Sequence, residues 1–324
     1  MPFEKSVLVP LTADETFALI TEPGRLRRWQ VITARVDPRA GGDYRWTIVP
    51  GRTASGTFIE VEAGQRVVFS WGWEGVADLP PGASTVTITL EPAAAGTLVR
   101  LVHDGLTAEQ AASHAEAWNH YLGRLVDAAT RGDAGADEWA AAPQDLDAIK
   151  AAQAALAACQ LVLRPMTAAD SGRPTICPEF TVAQLADHLL GSITVLGGAA
   201  GAKFPGDTAP ATIEARIADA AQAALEAWDA RGLDGMVSAA GNEIPAAVAA
   251  GILSIEFLIH AWDFAQATGQ HLDVSAAVSQ HVLDAAQQII TPEGRRSVGF
   301  ADPIQSGQDA SVLDRLIAFT GRAA

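Results

Sequence analysis

Up to about residue 130 the apolar positions recur mostly with a period of two, and beyond about residue 146 with a period near 3.6. The chain therefore predicts a strand-rich half followed by a helical half. In the first half, Phe3 to Pro10 reads as a strand, and Thr12-x-x-Glu15 forms a capping box that opens a short helix through Phe17, Leu19 and Ile20. A strand over Tyr44 to Ile48 follows Gly41-Gly42, and Thr57 to Glu62 pairs with Arg66 to Trp73 around Ala63-Gly64. In the latter segment Val67, Phe69, Trp71 and Trp73 alternate onto one face. Val86, Ile88 and Leu90 do the same against Thr85, Thr87 and Thr89, and Thr97 to His103 completes the sheet. From Thr107 to about Ala129 the period becomes helical, with Trp118, Tyr121, Leu122 and Leu125 on one stripe.

The segment from Arg131 to Asp147 is rich in Ala, Asp, Gly and Pro and has no apolar period, which predicts a linker over 133–145 between domains at 1–132 and 146–324. Trp139 is the residue in it best suited to anchor it to one domain. Helices are predicted from Leu146 to Leu163, from an N-cap at Thr181 to about Leu196, and from Thr212 to Trp228. A long helix runs from a first-turn Pro245 to Thr268 with Gly269 as its C-cap, then come Ser275 to Ile290 and a short amphipathic Leu313 to Phe319.

Composition narrows the function classes. With 324 residues, two domains are the default expectation, and 49% hydrophobic residues suffice for two cores. The 38 acidic residues outnumber the 22 basic ones, giving a formal net charge of −16. This argues against nucleic acid and against anionic membranes as partners, since both need clustered Lys and Arg. Two cysteines and an N-terminus without a signal-peptide pattern point to the cytoplasm. The most apolar stretch, Ile244 to Phe264, is interrupted by Glu256, His260 and Asp263, so no membrane span is expected.

Those interruptions are the candidate chemistry. Glu256 and His260 are four residues apart in GILSIEFLIHAWDF and project from one face of the predicted helix. A carboxylate and an imidazole buried together are costly unless partnered, and a divalent cation partners both. A buried hydrogen-bonded Glu–His pair is the other reading. Asp263 is placed either to orient a ligand or to complete the coordination, and His188, on the stripe of Leu185, Leu189 and Ile193, is the candidate third ligand from another helix.

The stretches CPEFTVAQLADHLLG at 177–191, EFLIHAWDFAQATGQ at 256–270 and DRLIAFTGR at 314–322 resemble the metal-binding domain of the DinB-like, mycothiol-dependent maleylpyruvate isomerase family. The resemblance implies a four-helix bundle with a divalent metal, zinc first and nickel second, on His188, Glu256 and His260. It also implies a low-molecular-weight thiol activated on that metal. The chain ends soon after Arg322 without the isomerase's additional C-terminal domain, so the expectation is thiol chemistry of this kind rather than maleylpyruvate isomerisation itself.

In the first half, FALITEPGRLRRWQ at 17–30, GGDYRW at 41–46, VVFSWGW at 67–73 and HAEAWNHYLGRL at 114–125 resemble the activator-of-heat-shock-protein-ATPase homologues of the SRPBCC, or START-like, superfamily. That implies a helix-grip domain enclosing an apolar cavity, with Trp46, Trp71, Trp73, Trp118 and Tyr121 either lining it or forming plain core. His103 and His114 are candidate polar groups of that cavity. Weaker candidates are Cys177, ahead of a helix, and the pair Arg295 and Arg296, suited to a substrate carboxylate. The fold class expected is α+β followed by all-α. Two functions remain open: a metal-dependent thiol transferase or isomerase acting on a small apolar substrate, and a non-catalytic sensor or carrier with a structural metal. Oligomerisation is compatible with both.

Overall fold

The period-two half closes into one antiparallel sheet because each strand has a single apolar face to bury. A computed structural model describes residues 2–141, 143–177, 179–204, 212–295 and 299–323, and the chain divides into two compact units, 1–137 and 138–324. Among the described residues of the first unit, seven strands are β1 (Phe3–Val9), β2 (Thr33–Val36), β3 (Asp43–Val49), β4 (Arg52–Glu62), β5 (Arg66–Trp71), β6 (Ser84–Ala93) and β7 (Gly96–Asp104). Their order across the sheet is β1-β7-β6-β5-β4-β3-β2. The helices are α1 (Ala13–Thr21), capped by the Thr12–Glu15 box, the four-residue α2 (Pro23–Leu26) and α3 (Ala108–Arg131).

The buried stripe of α3 (Trp118, Tyr121, Leu122 and Leu125) lies across one face of the sheet, the helix-grip arrangement. Facing it are Trp46, Phe69, Ile88 and Leu101, each at most 4% exposed. Burying such side chains contributes about 1.5–3 kcal/mol apiece. Residues 133–137, expected as linker, dock on this unit. The Ala134 N–H donates to Arg28 O at 3.0 Å, the Arg124 guanidinium donates to Gly135 O and Ala136 O, and Asp137 meets His120 at 3.0 Å.

In the second unit, α4 (Glu138–Ala141) carries Trp139 and precedes α5 (Ala148–Leu163). Next come α6 (Val182–Ala199), α7 (Ile213–Arg231), the hairpin β8 (Met236–Ala239) and β9 (Asn242–Pro245), α8 (Ala246–Thr268), α9 (Ala276–Ile289) and α10 (Val312–Phe319). The helices α5, α8, α6 and α7 pack in a ring, each against the next, which is a four-helix bundle, with α9 against α8 and α10 against α9. Alanines dominate the buried surface of α5, and such small side chains let it approach α8 closely. Helix α8 is apolar on every side because neighbours surround it. It is long and apolar enough to cross a membrane, yet 78% of its most apolar window is buried in the bundle. Pro245 serves as its N-cap and Gly269, at φ 71, as its C-cap.

Candidate metal centre

Glu256 and His260 stand one turn apart on the face of α8 that meets α6, and His188 projects from α6 towards them. Glu256 Oε2 is 3.6 Å from His260 Nε2 and 3.7 Å from His188 Nε2. One donor atom from each of the three residues lies within 4.8 Å of the others. The Oε2 atom is buried and lacks a hydrogen-bond partner. A buried carboxylate oxygen in that condition costs a few kcal/mol unless something else satisfies it. Tetrahedral zinc, with donors at about 2.0–2.2 Å, separates neighbouring donors by about 3.4 Å. The two measured oxygen–nitrogen separations are close to that edge length, so the donor set fits a divalent ion.

The His260 ring is oriented by Asp263. Asp263 Oδ2 accepts from His260 Nδ1 at 3.0 Å, which puts the proton of the neutral ring on Nδ1 and leaves the Nε2 lone pair facing Glu256. Asp263 itself is fully buried and gripped by Arg322, with Nε to Oδ1 at 2.7 Å and a second guanidinium N–H to Oδ2 at 2.9 Å. Both of its oxygens are thereby committed. Burial raises the Asp263 pKa, but the hydrogen bonds from His260 and Arg322 outweigh it and hold the carboxyl low. Glu256 is likewise held low, with burial opposed by His260, Ser192 and His188. For His260, burial pulls the imidazole down, but Asp263 and Glu256 prevail and push it up to about 9 in the metal-free protein.

His188 sits at the margin of the apolar stripe of α6 and keeps 42% of its side chain exposed, so the donor set opens to solvent on that side. Its ring stacks on Phe180 at 5.3 Å and meets His260 edge to face at 5.1 Å. Burial lowers its pKa and so favours the neutral form that binds metals. Asp187, beside it, points away to Arg216 at 2.7 Å. Cys177 joins the periphery, its Sγ 3.4 Å from the Arg322 guanidinium and 3.8 Å from Asp263 Oδ2. Burial and the Asp263 charge push this thiol up, so it is not an activated thiolate. Arg322 ends the DRLIAFTGR stretch that carries the family resemblance, but nothing local to that stretch signals its contact with Asp263.

The other candidates are distributed differently. In the first unit, Trp46 and Trp118 are among the residues lining a cavity of about 10 Å³, room for about one water molecule, while Trp71, Trp73 and Tyr121 lie outside that lining. His103 is fully buried, accepts from Trp118 Nε1 at 3.0 Å and donates to Ser84 Oγ at 2.8 Å. His114 accepts from Trp73 Nε1 at 3.2 Å and donates through Nδ1 to Gln110 O at 2.8 Å. These histidines are fully used within the core. Arg295 is no carboxylate receptor: it is buried, donates to Ala301 O and Phe319 O, and lies over the Phe319 ring at 4.6 Å. Arg296 and Pro178 lie outside the described residues.

Residues 10–130 match the activator of Hsp90 ATPase homolog 1-like protein family, and residues 151–265 match the mycothiol maleylpyruvate isomerase N-terminal domain. An uncharacterised protein of Mycobacterium tuberculosis, found in two strains, is 31% identical over 179 residues, covering 55% of this chain and 98% of its own length. Among solved structures, an AHSA1-like protein from Rhizobium etli is 38% identical over 45% of this chain and 91% of its own, at a TM-score of 0.37. DynU16, from the dynemicin biosynthetic locus, is 23% identical over 41% of this chain at the same TM-score of 0.37. The chain spans about half of DynU16, 48% of its length. The first half of the chain thus belongs with the activator of Hsp90 ATPase homolog 1-like proteins, and the second half matches the mycothiol maleylpyruvate isomerase N-terminal domain.

Proposed function

We propose that His188, Glu256 and His260 hold a divalent metal, zinc or nickel, and that the chain is a metal-dependent thiol transferase or isomerase using a low-molecular-weight thiol of the mycothiol type on a small apolar substrate. The observation that carries this reading is the buried, unpartnered Glu256 Oε2 facing two imidazole nitrogens at 3.6 and 3.7 Å. Structural zinc sites are closed by four protein ligands, whereas catalytic sites keep one position for an exogenous ligand. Among the described residues three donors gather here, and the nearby Asp263 is committed to His260 and Arg322. Bound in this site, the ion would supply Lewis acidity that lowers the pKa of a thiol as it does that of water. The protein's part is to present the imidazole nitrogens of His188 and His260, the latter releasing a proton as the ion binds, to hold His260 through Asp263, and to leave the His188 side accessible. For the first half we infer a role in binding the apolar substrate, supported by its family membership and by Trp46, whose buried Nε1–H lacks an acceptor beside the small cavity.

Cobalt substitution tests the thiol reading, because a cobalt–thiolate bond gives intense charge-transfer absorption in the near ultraviolet. Mycothiol or a surrogate thiol is expected to produce that band in the cobalt protein, and His260→Ala to abolish it. A cobalt spectrum that no thiol concentration alters means a closed site, and the chain is then a ligand carrier or sensor with a structural metal.

A further inference from the structure

We infer that Arg322, from the turn after α10, is a positioning residue of the metal centre: it locks Asp263, and through Asp263 the ring of His260, so that this turn completes a site whose donors lie on α6 and α8. This inference rests on the metal reading given above and names a residue beyond the 151–265 segment that matches the isomerase domain. The geometry is a chain of short contacts. The Arg322 guanidinium forms two parallel hydrogen bonds to the two oxygens of Asp263, at 2.7 and 2.9 Å, and Asp263 Oδ2 accepts from His260 Nδ1 at 3.0 Å. Such a fork fixes the carboxylate in plane and position in a way that a single ammonium does not. A fully buried carboxylate without its cation would be free to turn, and the His260 ring would lose its orientation.

The backbone ahead of Arg322 is shaped to deliver it. After α10, the Gly321 N–H returns to Ala318 O at 3.0 Å and the Arg322 N–H to Ile317 O at 3.2 Å, a glycine-closed helix end. Gly321 has φ 82, and a Cβ there would lie 2.7 Å from Ala301 Cβ and 2.9 Å from the Ala301 carbonyl. Only glycine suits both the left-handed turn and that contact. Side-chain and backbone requirements thus converge on placing one guanidinium against Asp263.

The test is a double-mutant cycle on metal affinity in the full-length protein, measured by competition for Zn2+ or Co2+ with a chromophoric chelator. Arg322→Ala and Asp263→Ala are each expected to weaken binding roughly 10- to 100-fold, the range for outer partners of ligating histidines. The double variant should bind no more weakly than Asp263→Ala, because Arg322 acts only through Asp263. The visible cobalt spectrum, which reports ligand geometry, should change in Arg322→Ala. If that variant does not fold, Arg322→Lys, which keeps the charge and loses the fork, should still show several-fold weakening. Wild-type affinity in both Arg322 variants, or losses that multiply in the double variant, would overturn the inference while leaving the metal centre intact. A wild-type protein that takes up no metal overturns the metal reading itself, and this inference with it.

Discussion

Each half of the molecule contains a pair of histidines packed edge to face, with ring centroids 5.0 Å apart at 86° in the first half and 5.1 Å apart at 88° in the second. By shape the pairs are nearly the same, yet their chemistry is opposite. Every ring nitrogen of His103 and His114 is spoken for by an indole N–H, a hydroxyl or a backbone carbonyl, and among the described residues no carboxylate bonds to them. In the second half the two Nε2 atoms converge on a carboxylate oxygen that, among the described residues, makes no hydrogen bond. A buried histidine is therefore not in itself the mark of a site. The mark is several potential ligand atoms aimed at a common point, one of them a buried carboxylate oxygen without a hydrogen bond.

The largest effect that would sharpen this contrast is expected at Glu256. Glu256→Gln keeps the shape of the side chain but removes the charged oxygen, and metal affinity should fall by more than about a hundredfold, beyond the contribution of an outer partner. Chelator competition measures it, and an unchanged affinity would place the metal elsewhere. In the first half the corresponding change, His103→Ala, should leave metal content untouched and instead cost about 2–4 kcal/mol of stability. It leaves the buried Trp118 N–H without its acceptor and opens a void. Denaturant unfolding followed by tryptophan fluorescence would show this.

Acid should also separate the pairs. Burial first, then the charge of His114, pulls His103 down to about 3, and burial likewise lowers His114. Above pH 6.5 neither the folded nor the unfolded chain protonates these rings, so they add no pH dependence. Between 6.5 and about 3 the unfolded chain protonates His103 while the folded one keeps it neutral, and the lowered His114 acts in the same direction below 6.5. The stability of the first half should then fall with acidification by up to about 1.4 kcal/mol per pH unit from His103, with His114 adding in the same direction. Unfolding midpoints of the metal-free protein across that range check it, and a flat profile would mean that the two rings are hydrated. The smallest effect is expected at Trp73→Phe, which removes the N–H donated to His114 and should cost about 1 kcal/mol without altering metal binding.

How legible each region was in the sequence follows from the range of the interactions involved. Strand β5 declared itself through Val67, Phe69 and Trp71, all at most 2% exposed, because one-sided burial imposes alternation. Glu256 and His260 stood out as polar residues one turn apart on an otherwise apolar helix, while His188 was ambiguous by pattern and depended on family resemblance. The four-residue β2 and α2 are too short to show a period. The β8–β9 hairpin turns through Ala240 at φ 50 and Gly241 at φ 80, a pair of left-handed residues that sequences normally announce with Asn-Gly. Arg322 is 59 residues from Asp263, and no local pattern signals a contact of that range. Residues 133–137 read as linker because their anchoring to the first half runs mainly through backbone carbonyls and two aspartates, not through an apolar stripe.

The central claim is that the second pair of histidines, unlike the first, is a metal site. Elemental analysis after saturation with Zn2+ and removal of loosely bound ion tests it most directly, comparing the wild-type protein with His188→Ala/His260→Ala and His103→Ala/His114→Ala. The account predicts about one metal per chain in the wild type and in the second double variant, and none in the first. A wild-type protein that takes up no metal, or a first variant that retains it, would contradict the claim.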